Sequence, residues 1–423
     1  MFFKNTLTLF AVAMLAIGTT GFAQDSITPL IGLVTGDDEN CGKDAARKAG
    51  CDPRDNSWLH PKLEAAKNSV KVGFGVRSSF RGNESEGVDS AGTFGGRVRD
   101  FQLDNARIFL SGNMGEKLSA YLHTDINGAQ GWSFAGDGTD PAGGGDGVRI
   151  LDAAIDYKLT DDVTVKMGRF LPPTDRSNLS GPFFINNYTF PWVQFTNGYY
   201  DVFQGRDDGV AFYGERGEDI QLKWSLALME GYDNAPGDDN LWMVARVVMN
   251  FLDPEEGYFN SSTYYGEKDI AALGFTFSNQ NDAHGTGLDY TAWSLDALLE
   301  TTLDGGGVAT IEGAYYDRDH DGAEIVDTGL TGLQGEGYFI LGSYLMADSI
   351  NIGDIEGRLQ PSIRFQASDR DTQVPGAQDR SVDYSLNYII HGHSARVSLV
   401  FQDINYVGGF DDQNLIIGGQ IRF

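Results

Sequence analysis

From residue 69 onward the chain repeats one pattern, segments of about ten residues in which apolar and polar side chains alternate. A period of two sends successive side chains to opposite faces of a strand. The first segment is the clearest: Val70, Val72, Phe74, Val76 and Phe80 share one face, and Lys71, Gly73, Gly75, Arg77, Ser79 and Arg81 share the other. Later apolar faces are Ala106-Ile108-Leu110, Leu118-Ala120-Leu122, Leu151-Ala153-Ile155-Tyr157 and Val163-Val165-Met167. Ile220, Leu222, Trp224, Leu226 and Leu228 continue the series, as do Ala395, Val397, Leu399 and Phe401. Sixteen such segments fall near residues 69–81, 101–112, 117–127, 149–158, 162–170, 207–214, 219–230, 240–251, 269–278, 292–301, 307–316, 335–346, 355–367, 380–390, 394–404 and 414–423.

A β-sandwich in water would explain the alternation but not the connections, which alternate short and long. Residues 113–116, 159–161, 215–218, 303–306 and 391–393 are tight turns. Between them run Gly-, Asp- and Asn-rich stretches at 82–100, 128–148, 171–206, 279–291, 317–334, 368–379 and 405–413. Short periplasmic turns opposite long extracellular loops are the habit of outer-membrane barrels. Two stretches, 252–268 and 347–354, should be turns on this parity and are longer than usual. Lipid offers no partner to an open sheet edge, so a membrane sheet must close. The expected fold is therefore all-β: a transmembrane antiparallel β-barrel of about sixteen strands.

The N-terminus agrees with export. Lys4, the apolar run Leu7 to Ile17 and Gly21-Phe22-Ala23 fit a signal peptide cleaved after Ala23. The apolar run is shorter than the roughly 20 residues a spanning helix needs. The organisation expected is a signal peptide at 1–23, a periplasmic N-terminal segment at 24–68 and the barrel at 69–423. Cys41 and Cys51 are compatible with a disulfide in an oxidising compartment. A formal charge of -29 argues against a nucleic-acid partner, whose phosphates call for clustered Lys and Arg. The last segment puts Leu415, Ile417, Gly419, Ile421 and Phe423 on one face. That outward aromatic end resembles the signal read by the barrel assembly machinery.

Candidate functional residues cluster in two places. The longest loop, 171–206, carries Phe183, Phe184, Tyr188, Phe190 and Trp192, a costly load for a loop standing in water. It is expected to fold inward and constrict the lumen, with Arg176 and Arg206 as its basic residues. The polar faces of the segments give a pore-lining set: Lys71, Arg77, Arg107, Asp125, Asp156, Lys166, Lys223, Arg246, Glu312, Arg358, Arg364 and Arg396. Basic and acidic side chains nearly balance on that wall, which predicts weak selectivity. Asp317, Asp319 and Asp321 match the first half of a calcium-loop pattern, but Thr328 stands where its bidentate Glu belongs. Surface Ca²⁺ is the one metal the sequence suggests, and no other cofactor is expected. His123, His391 and His393 have no Ser or Asp at a spacing that forms a nucleophilic site, so no enzyme is expected.

Several stretches resemble the phosphate-selective porin O/P family: Asn105-Ala106-Arg107-Ile108-Phe109-Leu110-Ser111-Gly112, Leu151-Asp152-Ala153-Ala154-Ile155-Asp156-Tyr157, Val163 through Pro173, and Asp383-Tyr384-Ser385-Leu386-Asn387-Tyr388. The resemblance implies a sixteen-stranded homotrimeric porin of the bacterial outer membrane with an inward third loop. It implies passive passage of small hydrophilic solutes and ions, with anions such as phosphate one option. The loop 171–206 contains no Lys and only two Arg, which departs from the basic constriction of phosphate selectors. A general diffusion channel is the preferred expectation; the alternative is a non-conducting structural or Ca²⁺-binding surface barrel.

Overall fold

The computed structural model describes residues 69–85, 97–126, 148–197, 205–231, 240–283, 285–319, 321, 335–370, 378–406 and 410–423. The expected signal peptide, the 24–68 segment and the Cys41–Cys51 pair lie outside the described residues. The described chain is almost entirely strand: β1 (Ser69–Ser85), β2 (Arg97–Met114), β3 (Leu118–Ile126), β4 (Val148–Lys158), β5 (Thr164–Phe170) and β6 (Asp207–Arg216). There follow β7 (Gln221–Met229), β8 (Trp242–Asn250), β9 (Ile270–Gln280), β10 (Tyr290–Thr302), β11 (Val308–Asp319) and β12 (Gly335–Leu345). The series ends with β13 (Ser349–Ile352), β14 (Ile355–Arg370), β15 (Gln378–His391), β16 (Ala395–Tyr406) and β17 (Phe410–Arg422).

Each strand pairs antiparallel with its sequence neighbours, and β1 pairs with both β2 and β17, so the sheet closes. β12 also pairs directly with β14, leaving β13 as a short ribbon on the start of β14. The ring proper thus has sixteen staves. The turn carrying β13 explains the long stretch at 347–354. Tyr388 donates its hydroxyl to the carbonyls of Ile350 and Ile355, which folds the ribbon onto its neighbours.

The burial pattern is inverted relative to a protein in water. Phe101, Ile155, Met167, Leu273, Ile340 and Ile363 are exposed, while Arg107, Lys166, Arg246, Glu300, Arg364 and Asp383 are buried. With every backbone edge paired around the ring, the exposed apolar face is the one that lipid covers. The inward face is polar, as the alternation predicts.

Three bulges interrupt that alternation, the third at Ile389/His391 beside the β15–β16 turn. β1 and β2 slip at Arg77/Ser78, where Asp104 has no partner, so Asp104 and Asn105 are both buried. β3 and β4 slip at His123/Thr124, where Leu151 is the extra residue. The sequence pattern places Leu151 on the lipid face with Ala153, Ile155 and Tyr157. Instead Leu151 is only 2% exposed, because an inserted residue flips the faces beyond it.

Candidate functional site

The chain leaving β5 does not project away from the barrel. Asp175 caps a single helical turn, α1 (Arg176–Ser180), by accepting from the N–H of Ser177 at 3.1 Å. Gly181, at φ 67°, ends it. The chain continues through Phe183, Ile185 and Tyr188 to a 3-10 turn at Trp192–Asn197. Its partners are the buried polar side chains on the face opposite the lipid-facing one.

Five arginines form a bed for this loop by donating to its backbone carbonyls. Arg246 reaches Thr174 O at 2.8 Å, Arg318 reaches Val193 O at 2.7 Å and Arg364 reaches Thr189 O at 2.7 Å. Arg396 reaches Ile185 O at 2.8 Å and Asn186 O at 3.1 Å, and Arg77 bonds Tyr188 O. Arg77, Arg246, Arg364 and Arg396, read from sequence as lining a water-filled pore, lie on the inward face but beneath the loop. Two of the five are also neutralised: Arg364 by Asp383 at 2.9 Å and Arg246 by Asp296 at 2.9 Å. Burying a guanidinium is tolerable only with such partners.

Side chains of the loop lock into the same wall. The Trp192 indole donates to Ser381 at 3.1 Å, Asn186 donates to Ser343 at 2.9 Å, and Tyr188 donates to Asp104 at 2.7 Å. Two wall glycines make room for rings. A Cβ at Gly75 would fall 2.7 Å from the Phe183 ring, and one at Gly418 would collide with Tyr188. Asp175 accepts from the Tyr316 hydroxyl at 2.8 Å. Burial, with Asp296 nearby, raises its carboxyl to about 6 despite that bond and Arg246.

The other over-long stretch, 252–268, is also tucked against the inward face. Glu255 receives both terminal nitrogens of Arg176, at 2.7 and 2.6 Å, and the Tyr264 hydroxyl. Burial alone would raise the Glu255 carboxyl; the charge and hydrogen bonds of Arg176 outweigh it and hold it at about 2. The Ser262 N–H donates to Phe184 O at 3.1 Å, and Asn260 donates to Arg176 O at 3.0 Å. Glu300 accepts from Thr263, from the Tyr264 N–H and from the Gly266 N–H at 2.7, 2.8 and 3.1 Å. His393 hydrogen-bonds Thr263 O at 2.9 Å; burial, reinforced by Arg396, lowers its imidazole to about 4. Loop and turn thus interlock.

The wall from β2 to β6 is built differently. Arg107 pairs with Asp125 at 2.8 Å, and Asn105 donates to the same carboxylate at 2.9 Å. Asp152 takes Arg206 and His123, both at 3.0 Å. Lys166 pairs with Asp156 at 2.8 Å and sits 4.6 Å from the Tyr121 ring centre and 4.9 Å from that of Tyr258. Here cations meet carboxylates of neighbouring strands.

The remaining expected residues scatter. Lys71 is exposed at the start of β1, and Arg358 caps the rim beside β13 through Met346 O and Gly306 O. Lys223 holds Phe259 O at 3.3 Å, and Glu312 is buried beside Ser177. Asp317 accepts from Trp293, and Asp319 from the N–H of Asp321. Among the described residues no three such side chains stand together as a metal site. Sequence reasoning missed Asp104, hidden by its bulge, and Glu255, whose one signal was the length of its turn.

The comparisons with known proteins bear on the closed ring itself. Residues 70–207 match the model of the family described as phosphate-selective porin O and P. The fold is that of a porin. An anion-selective porin from Comamonas acidovorans aligns with a TM-score of 0.52 at 12% identity, over 84% of this chain and 100% of that one. The outer-membrane channel DcaP of Acinetobacter baumannii aligns at 0.50 and 14% identity, over 86% and 99%. A loop-deletion mutant of OmpT, an outer-membrane protein of Vibrio cholerae, aligns at 0.50 and 11%, over 84% and 99%. No curated protein sequence gives a significant match.

Proposed function

We propose that this porin barrel is a water-filled outer-membrane channel for passive diffusion of small hydrophilic solutes and ions. The observation that carries this reading is the closed ring with its polar inward face: the loop 171–197 is anchored chiefly on the strands from β8 round to β1, and the turn 251–269 reaches the β2–β6 wall through Tyr258 and Phe259. Passage then runs along the β2–β6 wall, where His123 and Asp156 keep some exposure. The loop acts as the constriction through Arg176, Phe183, Phe184, Tyr188 and Trp192, with Arg206 at its return. Because Arg107, Lys166 and Arg206 each have a carboxylate partner, selectivity is weak, and phosphate enters as one small anion among others. The assembly proposed is a homotrimer, testable by cross-linking in detergent.

A second reading has its own support. The space enclosed between Leu179, Lys223, Arg246 and Tyr258 is about 20 Å³, room for about one water. A lumen filled to that degree throughout would make a non-conducting barrel. Planar-bilayer recording of the refolded protein decides: stable conducting steps support the channel, and silence from a folded barrel supports the filled one.

A further inference from the structure

Arg422 departs from the balanced wall. It lies near the end of β17, opposite Gly75 of β1, on the same inward face as Gln420. Among the described residues no carboxylate pairs with it, and its Nε has no hydrogen-bond partner. What surrounds it is aromatic. The guanidinium carbon lies 4.7 Å from the Phe184 ring centre and 5.2 Å from that of Phe109. Phe109 and Tyr121 each stand 5.0 Å from the His123 ring, and Tyr121 faces Phe259 at 6.3 Å. Phe259 is 38% exposed. Rings and cation together form one continuous surface at the periplasmic mouth.

That chemistry selects a ligand. A guanidinium offers a planar fork that matches a carboxylate through two parallel hydrogen bonds. A partly desolvated cation without a counter-charge is costly, and an arriving anion removes the cost. The flanking Phe faces favour a flat apolar body and offer no donor to the strongly hydrated oxygens of inorganic phosphate. We propose that Arg422, Phe109 and Phe184 form a binding site for aromatic carboxylates at the periplasmic end of the lumen. This deepens the channel reading by naming a solute class that the channel retains.

The experiment is calorimetric titration of the refolded protein with benzoate, acetate and inorganic phosphate in parallel. Benzoate binds saturably and more tightly than the other two. Arg422→Gln weakens benzoate about tenfold. Phe184→Ala lies outside the terminal strand, so it remains informative should Arg422→Gln fail to fold; it weakens benzoate and leaves acetate unchanged. Equal benzoate affinity in a folded Arg422→Gln or in Phe184→Ala, or tighter binding of phosphate than of benzoate, overturns the proposal. Bilayer recording on the same preparation separates the two claims. Binding without conduction sinks the channel and leaves the site; conduction without binding sinks the site alone.

Discussion

The two arcs of the barrel wall use the same residue types for opposite ends. From β8 round to β1, arginines turn their donors to loop carbonyls, as Arg246, Arg318, Arg364 and Arg396 do. From β2 to β6, Arg107 and Lys166 turn to carboxylates on adjacent strands. The first arc spends its charge on holding a loop in place. The second neutralises its charge within the wall. A basic residue on the lumen face of a barrel is therefore no guide to selectivity until what lies on top of it is known.

The largest break in that comparison should come from the loop bed. Arg364→Ala strands Asp383 in the buried wall and frees Thr189, so unfolding in denaturant should show a loss of about 3–5 kcal/mol. A loss below 1 kcal/mol would mean that the bed is decorative. Next comes the lock between loop and turn. Glu255→Gln keeps the shape but removes the charge facing Arg176, at a cost of about 2–3 kcal/mol. Since the Glu255 carboxyl is held at about 2, below its ordinary 4.5, its contribution is present above pH 4.5 and fades as pH falls through 2. Wild type and Glu255→Gln should converge in stability only at that acidic extreme.

His393 gives a smaller, milder-pH effect. Its imidazole is lowered from 6.5 to about 4, so the unfolded chain takes up a proton that the folded one refuses. Stability is full above pH 6.5 and declines as pH falls toward 4, by about 2 kcal/mol at pH 5. Asp175, raised to about 6, works in the opposite direction over that range, so the test is the difference between wild type and His393→Gln. Identical pH profiles for the two would remove His393 from the account. Smallest of all is Lys71→Gln at the exposed start of β1, which should leave stability within about 0.5 kcal/mol. A larger loss would reveal a partner for Lys71 in the segment before the barrel.

Strand number, and facing over most of the ring, were legible in the sequence because alternation survives in most staves, from Val70-Val72-Phe74 in β1 to Leu273-Phe275-Phe277 in β9. The bulges at Asp104 and Leu151 were not, since one inserted residue leaves each half of a strand looking regular. The candidate site was legible by composition. So many rings in 171–206 demanded cover, and Phe183, Tyr188 and Trp192 are packed on the wall. Alternation says which way Arg364 or Arg396 points but not what rests on it, so their role as a bed could not be read from the pattern. The stretch 252–268 was conspicuous only in length. Glu255, which anchors it, sits in no periodic pattern at all.

Single-channel conductance of the refolded protein in a KCl gradient tests the central claim most directly, that solutes pass along the β2–β6 wall beside an anchored loop. Stable steps with a small reversal potential, whose size grows when Arg364→Ala releases the loop, are the predicted result. Silence from a folded wild-type barrel, or steps unaltered by Arg364→Ala, would contradict it.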